Sequence, residues 1–466
     1  MAGLATMRLM FQTFLRTAAP AALLAAFPSP VHAKPPRLQD AIGNPSDIKV
    51  SGSIRLRYES LTGQPRINLP PQDEQIAMRS TLLVEFAPSP GLRIGAEVFD
   101  SRAWLGRPGS SVSANDVNTL EPVQAYVALD LEPGKGNKLT LEAGRFILNL
   151  GSRRLVAADD YRNTTNGYTG LRADLKIRSG PQATFIYTLP QIRLPDDQPS
   201  VLDNRGALDK ESFDLRLWGG LVWHPDVIAG IMAEASYIRL QERDSLRRAT
   251  RDRNLHTFAA RLIREPAAGK PDFEVEAAYQ FGEASETTRT TAPLLDVSSW
   301  FAHADAGYTF PGPARLRISV EYDHASGDAP GGKYGRFDTL FGMRRADFSP
   351  AGVLAAIGRS NIDSPGVRIE AAPGKRHDGF VSYRPMWLAE RADSFASTGV
   401  RDVRGRSGSF AGHQLEGRVR YWLVPGSLRS ELNAFLLAKG QFLRAAPNAP
   451  ATGDTRYISL ALIATF

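Results

Sequence analysis

The last twelve residues, "TRYISLALIATF" (Thr455–Phe466), alternate between two kinds of side chain. Ile458, Leu460, Leu462, Ala464 and Phe466 form one apolar row, and successive side chains of a β-strand point to opposite faces. Chain termini usually fray, so an ordered strand that reaches the last residue needs a partner. A barrel that closes its last strand against its first provides one.

The same alternation recurs along the chain. It is seen in "SIRLRYE" (Ser53–Glu59), in "LRIGAEV" (Leu92–Val98) and in "FEVEAAYQF" (Phe273–Phe281). We count about eighteen such segments, including the shorter ones at 184–189 and 367–371. The chain is therefore predicted to be all-β.

The connections between these segments also alternate, in length. Long polar stretches such as 101–120, 147–167 and 324–364 take turns with short ones such as "APSPG" (87–91) and "VPGS" (424–427). Long loops at one end and tight turns at the other are typical of outer-membrane barrels, whose turns face the periplasm. We predict a transmembrane, antiparallel, up-and-down β-barrel of about 18 strands over residues 49–466. The alternatives are a soluble β-sandwich and, less favoured, a TonB-dependent transporter, which would need a plug domain before Ser51.

The N-terminus carries an export pattern. Arg8 and Arg16 precede an apolar stretch, and small residues ending at Ala33 come before Lys34. This pattern predicts a signal peptide over 1–33, although a short amphipathic helix is the alternative. Residues 34–48 would then form a short periplasmic segment, and the protein would reside in the cell outer membrane, in contact with its lipids.

Composition narrows the function. No stretch approaches the ~18 apolar residues that a spanning helix needs. The absence of cysteine excludes zinc–thiolate and cysteine-nucleophile chemistry. The formal charge of +7 favours anionic partners, but nucleic acid is not expected for an exported protein.

Three kinds of residue pattern could indicate chemical sites. "GDAPGGK" (Gly327–Lys333) has Walker A spacing, but Tyr334 replaces the magnesium-binding hydroxyl and no helix follows. Asp323, Asp328 and Asp338 could bind calcium, but a solvated turn fits their spacing better. The scattered histidines fit polar residues at a barrel rim better than a catalytic site. We therefore expect no enzymatic activity, no catalytic or metal-binding residue and no cofactor.

The polar faces of the strands should line a water-filled pore. They carry slightly more basic than acidic residues, with Arg216, Arg315 and Arg317 among the bases. Many of these charges could pair across strands and stiffen the wall. The pattern predicts a polar channel with a slight preference for anions.

Two long stretches resemble the alginate-export family of outer-membrane proteins. They are "EAGRFILNLGSRRLVAADDYRNTTNGYTGLRADL" (Glu142–Leu175) and "EYDHASGDAPGGKYGRFDTLFG" (Glu321–Gly342), and "GHQLEGRVRYW" (Gly412–Trp422) is similar to a later strand of the family. The resemblance implies an eighteen-stranded barrel and passive export of an anionic polyuronate through an arginine-rich pore. Together with the lumen pattern, it makes these residues the candidate pore-lining, substrate-binding set: Arg93, Glu97, Asp100, Arg102, Arg145, Arg153, Arg154, Asp160, Arg315 and Arg317.

Some alternatives remain open at this point. Arg145, Arg153 and Arg154 could instead hold a salt-bridged loop fold inside the barrel. The family has a long periplasmic loop near its penultimate strand, whereas Val424–Ser427 is short, so a gate of that type is not expected here. The expected function is export of an acidic polysaccharide such as alginate, with periplasmic secretion partners as candidate partners. Uptake of small anions or organic acids and, less favoured, lipid hydrolysis are the alternatives.

Overall fold

The computed structural model describes residues 37–134, 136–245, 248–344 and 347–466. The signal peptide predicted over 1–33 lies outside the described residues. In the described part of the chain, no helix is long and apolar enough to cross a membrane.

Eighteen antiparallel strands form one closed sheet. The first nine are β1 (Ile48–Thr62), β2 (Gln72–Ser89), β3 (Leu92–Trp104), β4 (Asn118–Leu131), β5 (Lys138–Ile147), β6 (Gly167–Lys176), β7 (Gln182–Pro190), β8 (Leu215–Ile228) and β9 (Ile231–Glu242). The second nine are β10 (Asn254–Arg264), β11 (Pro271–Ser285), β12 (Leu294–Thr309), β13 (Arg317–Ala325), β14 (Ile362–Ala371), β15 (His377–Trp387), β16 (Phe410–Val424), β17 (Leu428–Lys439) and β18 (Thr455–Thr465). The predicted fold class is confirmed, including the short alternating segments that lie in β7 and β14.

The C-terminal strand closes the barrel. β1 pairs with β18 from Ser53 opposite Thr465 to Thr62 opposite Arg456, and also with β2 on its other side. Along β18, Tyr457 is 3% exposed whereas Leu460 is 42% exposed. This is the inside-out pattern of a membrane barrel, in which the apolar row faces lipid and the other row faces the lumen.

The connections differ in length at the two ends of the barrel, as predicted. The long loops are L1 (63–71), L2 (105–117), L3 (148–166), L4 (191–214), L5 (243–253), L6 (286–293), L7 (326–361), L8 (388–409) and L9 (440–454). The other end carries only short turns. The sequence pattern also predicts long polar stretches at 60–75 and 282–297. L1 and L6 are shorter than these, because the neighbouring strands extend into them.

Among the residues that the structure describes, three short helices flank the barrel: α1 (Leu38–Ala41), α2 (Gln198–Leu202) in L4 and α3 (Gln441–Ala445) in L9. The side chain of Gln39 in α1 caps the part of β1 that projects beyond β18. Its Nε2 donates to the carbonyl of Ile48 at 2.8 Å, and its Oε1 accepts from the amide of Val50 at 2.8 Å. A glutamine amide thus replaces a neighbouring strand at the exposed edge.

The hydrophobic core of the protein lies inside the barrel, near the long-loop end. It joins inward side chains of strands to apolar residues of the long loops, so the loops fold into the lumen. Members of this cluster include Phe146, Leu148, Leu155, Tyr168, Phe337, Phe348, Leu354, Phe395 and Phe442.

Candidate functional site

L3 and L7 pair with each other inside the barrel. Val156 and Phe341 form a parallel bridge, and the Phe341 amide donates to the Leu155 carbonyl at 3.0 Å. The Met343 amide donates to the Arg153 carbonyl at 3.0 Å. The two loops therefore form one unit, called here the L3–L7 layer (148–166 and the described part of 326–361).

One side of this layer is attached to β11 through a buried arginine. The guanidinium of Arg154 in L3 contacts Glu276 at 2.6 Å and also contacts Glu274. The same guanidinium contacts Asp347 of L7 at 2.7 Å, and Arg359 contacts the other oxygen of that carboxylate. Opposite charges at this distance are strongly coupled when they are removed from water.

The opposite side of the layer is attached to β1. Arg55 donates to the Asp160 carbonyl of L3 at 2.8 Å. Glu59 accepts from the Val353 amide of L7 at 3.1 Å and from the Tyr457 hydroxyl at 3.0 Å. β1 and β11 lie nearly opposite each other in the eighteen-strand order, so the layer crosses the lumen.

The wall from β10 to β15 carries charges that neutralise each other. It borders a cavity of about 300 Å³, and the residues that line this cavity include more carboxylates than guanidiniums. Arg317 contacts Asp272, Asp305 and Glu370, while Arg384 contacts Glu321 and Asp323. This wall is a cross-strand ion-pair network, one of the two possibilities that the sequence pattern allowed.

The wall from β1 to β3 is different. Arg57 is paired with Glu59 at 2.7 Å, but two other arginines of this wall have no carboxylate partner among the described residues. Arg55 and Arg79 stand directly opposite each other across β1 and β2. Arg79 donates to the Arg162 carbonyl at 3.3 Å, and among the described residues neither arginine has a carboxylate within ion-pair distance. Like charges placed directly opposite are destabilising, and this pair concentrates positive charge on the wall.

Burial and a neighbouring arginine lower the pKa of two loop guanidiniums. Burial, followed by the nearby charge of Arg162, lowers the pKa of Arg193 to about 10. Burial and Arg162 likewise lower the pKa of Arg344 to about 10. Both side chains stay charged at neutral pH.

Arg93 and Glu97 lie on the inward face of β3, below this arginine pair. The Arg93 side chain is 37% exposed, and its contacts with Glu85 at 3.6 Å and Asp130 at 3.5 Å are longer than hydrogen bonds. Glu97 accepts from Gln124 at 2.6 Å. Both residues therefore face the lumen, as predicted.

Arg153 and Asp160 pair with each other in L3, and their side chains are 31% and 64% exposed. Arg154, their neighbour, has a side chain that is 5% exposed and holds the layer together. Of the three predicted L3 residues, two are accessible to a solute and one is part of the loop architecture.

Asp100 and Arg102 lie on the outward face of β3, in the same row as the exposed Val98 and Trp104. They pair with each other at 3.0 Å. The structure therefore places these two predicted pore-lining residues away from the pore. The outward row of Ile94, Ala96 and Val98 continues through Asp100 and Arg102. The sequence analysis therefore placed these two residues on the correct strand but on the wrong face of it.

Arg145 and Arg315 are also away from the lumen. Arg145 lies on the outward face of β5, opposite to the face of the buried Phe146. Its guanidinium contacts Glu121 at 2.6 Å and also contacts Glu211. Arg315 lies in the short turn before β13, exposed and at φ +46°, because β13 begins only at Arg317. Arg317 is in the wall, but its charge is neutralised by its three carboxylates.

The carboxylates considered for calcium have separate partners. Asp328 accepts from the Gly335 amide at 3.0 Å, and Asp338 contacts Arg253 at 2.8 Å. Asp323 joins His303 and Asp347 in a group whose donor atoms lie within 4.8 Å of one another. Arg384 and Arg154 already occupy the oxygens of that group, so a cation would have to displace guanidiniums.

The sequence did not single out Arg55, Arg79 or Asp347. Arg55 and Arg79 were on predicted inward faces, and pairing adjacent strands in register would have placed them side by side. Asp347 lies in a loop without periodicity, and nothing in its local sequence indicates that it meets Arg154.

Comparison with known proteins gives a family and a set of similar folds. The family model described as alginate export matches residues 47–455. A search of curated proteins found no significant match.

Solved outer-membrane proteins share the fold at low sequence identity. Pseudomonas aeruginosa OpdK has a TM-score of 0.57 at 12% identity, covering 90% of this chain and 99% of its own. P. aeruginosa OccK2 (OpdF), solved in complex with glucuronate, has a TM-score of 0.56 at 12% identity, covering 90% and 98%. Acinetobacter baumannii OccAB3 has a TM-score of 0.57 at 11% identity, covering 91% and 100%. These likenesses show that the chain shares the barrel fold of those proteins.

Proposed function

The chain belongs to the alginate export family, and from this premise we propose that its outer-membrane channel carries an acidic, uronate-containing polysaccharide outward by passive diffusion. The family and the fold indicate transport rather than catalysis.

The observation that carries this proposal is the arginine pair on β1 and β2. Arg55 and Arg79 face each other without carboxylate partners among the described residues, where L3 meets the wall. Arg55 is 6% exposed and is bonded to L3, so it contributes positive charge without touching the solute. The half-buried Arg79 can present guanidinium donors that match the carboxylate of a passing uronate. Arg93, nearer the short-turn end, offers a second contact of the same kind.

Intervening acids keep such contacts weak. Glu97 and Glu85 lie between Arg79 and Arg93 on the inward faces of β2 and β3, and the exposed Asp160 lies beside Arg153. A channel conducts only when each site releases its solute, and these carboxylates compete with the solute for the guanidiniums. The arrangement suits transfer of a carboxylate polymer from one arginine to the next.

Diffusion of small organic anions is a second candidate, because one feature favours it. The L3–L7 layer crosses the lumen, and a single sugar acid needs less space beside it than a polymer does. The structurally similar OccK2 was solved with glucuronate, a single uronate. Periplasmic secretion partners remain a prediction.

Single-channel current in a planar bilayer tests the proposal. Addition of a polyuronate to the periplasmic side should produce brief, voltage-dependent blocks, whereas a neutral polysaccharide of the same length should not. Blocks by glucuronate but not by the polymer would favour the second candidate. Equal effects of charged and neutral polymers would contradict both.

A further inference from the structure

The outward face of β8 to β10 carries an aromatic band. Trp218 and Tyr237 are in edge contact at 5.7 Å, and Tyr237 contacts Phe258 at 4.9 Å. Phe258 is 52% exposed. Aromatic residues on the lipid side of a barrel mark the level of the lipid headgroups.

Arg216 and Arg239 lie on this same outward face, and Arg216 is nearer the long-loop end than the band. Trp218 pairs with Arg239 and Arg216 pairs with Gln241, so the two arginines are diagonal neighbours with Cβ atoms about 7 Å apart. The sequence pattern placed Arg216 inside the barrel. That was wrong, because Leu215 and Leu217 fill the inward positions and pack in the lumen cluster.

Neither guanidinium is neutralised by the described part of the protein. Arg239 donates to the Asn254 side chain at 3.1 Å and lies 5.6 Å from the centre of the Trp218 ring. The Nε of Arg216 is buried and has no hydrogen-bond partner among the described residues. Within the same ranges, neither arginine has a carboxylate within ion-pair distance, and Asp214, which precedes β8, accepts from the Ser212 hydroxyl.

Unpaired charges at a lipid-facing surface are costly, and a basic pair at headgroup level attracts anionic lipid. Two arginines whose Cβ atoms lie about 7 Å apart can approach one phosphate from two sides, and each guanidinium can offer it two parallel donors. The aromatic band next to them provides a surface for acyl chains.

We propose that Arg216 and Arg239 form a binding site for the phosphate of a phosphorylated glycolipid in the outer leaflet, with its acyl chains along Trp218 and Phe258. The site faces away from the lumen and is independent of the transported solute.

Lipid retention measured by native mass spectrometry tests this site. The full-length protein is reconstituted with bis-phosphorylated lipid A or with the same lipid A after phosphatase treatment, and is then extracted in mild detergent. The wild type should retain the phosphorylated lipid about tenfold more strongly than the dephosphorylated one, as expected for charge-assisted hydrogen bonds. Equal retention of the two lipids would overturn the proposal, and this comparison needs no variant.

A double variant locates the site. Arg216→Ala/Arg239→Ala should lose the preference for phosphate, whereas Arg205→Ala/Lys210→Ala, which removes two charges from L4, should keep it. Heat-modifiable migration verifies that each barrel is folded, and Arg216→Gln/Arg239→Gln replaces the alanine pair if that pair does not fold. A preference that persists in the folded double variant, or that the L4 control also loses, would contradict the assignment.

Discussion

The guanidinium of Arg154 holds the carboxylate of Asp347 at two points, with Nη2–Oδ1 at 2.7 Å and Nε–Oδ2 at 2.8 Å. This contact joins L3 to L7, and the further contact with Glu276 joins both loops to the barrel wall. Burial alone would raise the pKa of Asp347, but Arg154 and Arg359 hold it well below its usual range. The stabilisation is therefore present above the unfolded-state pKa and is lost only as pH falls through the lower folded-state value. The contact stays charged at neutral pH.

Replacing Arg154 should release the L3–L7 layer without unfolding the barrel. Arg154→Ala leaves Asp347 and Glu276 buried without this partner, and loss of one member of a buried ion pair costs about 3–5 kcal/mol. We expect faster amide hydrogen exchange in 150–160 and 347–355, together with larger and noisier single-channel conductance. Arg205→Ala, whose exposed pair with Asp203 contributes about 0–1 kcal/mol, is the control. Exchange rates in L3 and L7 that match the wild type would show that this contact does not hold the layer.

A single methyl group should move L7 away from β1. Gly352 has φ +65°, and a Cβ there would lie 2.1 Å from an oxygen of Glu59. That carboxylate cannot easily yield, because Arg57, Gln75 and Tyr457 also hold it. Gly352→Ala should therefore increase conductance and cost about 1–3 kcal/mol of layer stability.

Gly331→Ala is the matched control for this change. Gly331 lies in the same loop at φ +75°, and no described atom lies within 4 Å of the position that its methyl group would take. It carries the same backbone strain without the contact with Glu59. Equal conductance in the two variants would mean that strain, and not the Glu59 contact, controls L7.

Asp116 should make the packing of L2 on L3 depend on pH. Burial, and then the nearby charge of Glu59, raise the pKa of Asp116 to about 6. The folded state therefore holds a proton that the unfolded state releases near pH 4, so stability falls as pH rises between these values. The loss is up to about 3 kcal/mol above pH 6.

Asp116→Asn should remove this dependence, because the amide carries no charge. Amide exchange in 113–117 and 159–164, corrected for the intrinsic rate, measures the effect at several pH values. The wild type should lose protection from pH 4 to pH 6, and the variant should not. A parallel fall in both proteins would place the titrating group elsewhere.

The barrel could be predicted because a membrane strand repeats every two residues and its connections alternate in length. Even β7 and β14, which have few alternating positions, were predicted from this two-residue repeat. The face of Asp100 and Arg102 was also readable, since the apolar row of β3 leads directly to them. The interior could not be predicted, because contacts such as Arg154 with Asp347 join loops that have no periodicity and lie far apart in the chain.

The distribution of unpaired charge in the lumen also could not be predicted from the sequence. A count of inward charges gives nearly equal numbers, but pairing differs from wall to wall. Arg317 is neutralised by three carboxylates, whereas Arg55 and Arg79 are bonded to loop carbonyls. Which arginines lack a carboxylate partner depends on how the loops fold into the lumen.

The reversal potential under a salt gradient is the most direct test of the central claim that arginines on β1 to β3 guide anions. The wild type should be anion-selective, and Arg79→Gln should shift the reversal potential toward cations, because it removes a positive charge that has no described carboxylate within ion-pair distance. Arg102→Gln, on the outward face of β3, should leave the potential unchanged. A wild-type channel without anion preference, or one whose selectivity survives loss of Arg79, would contradict the account.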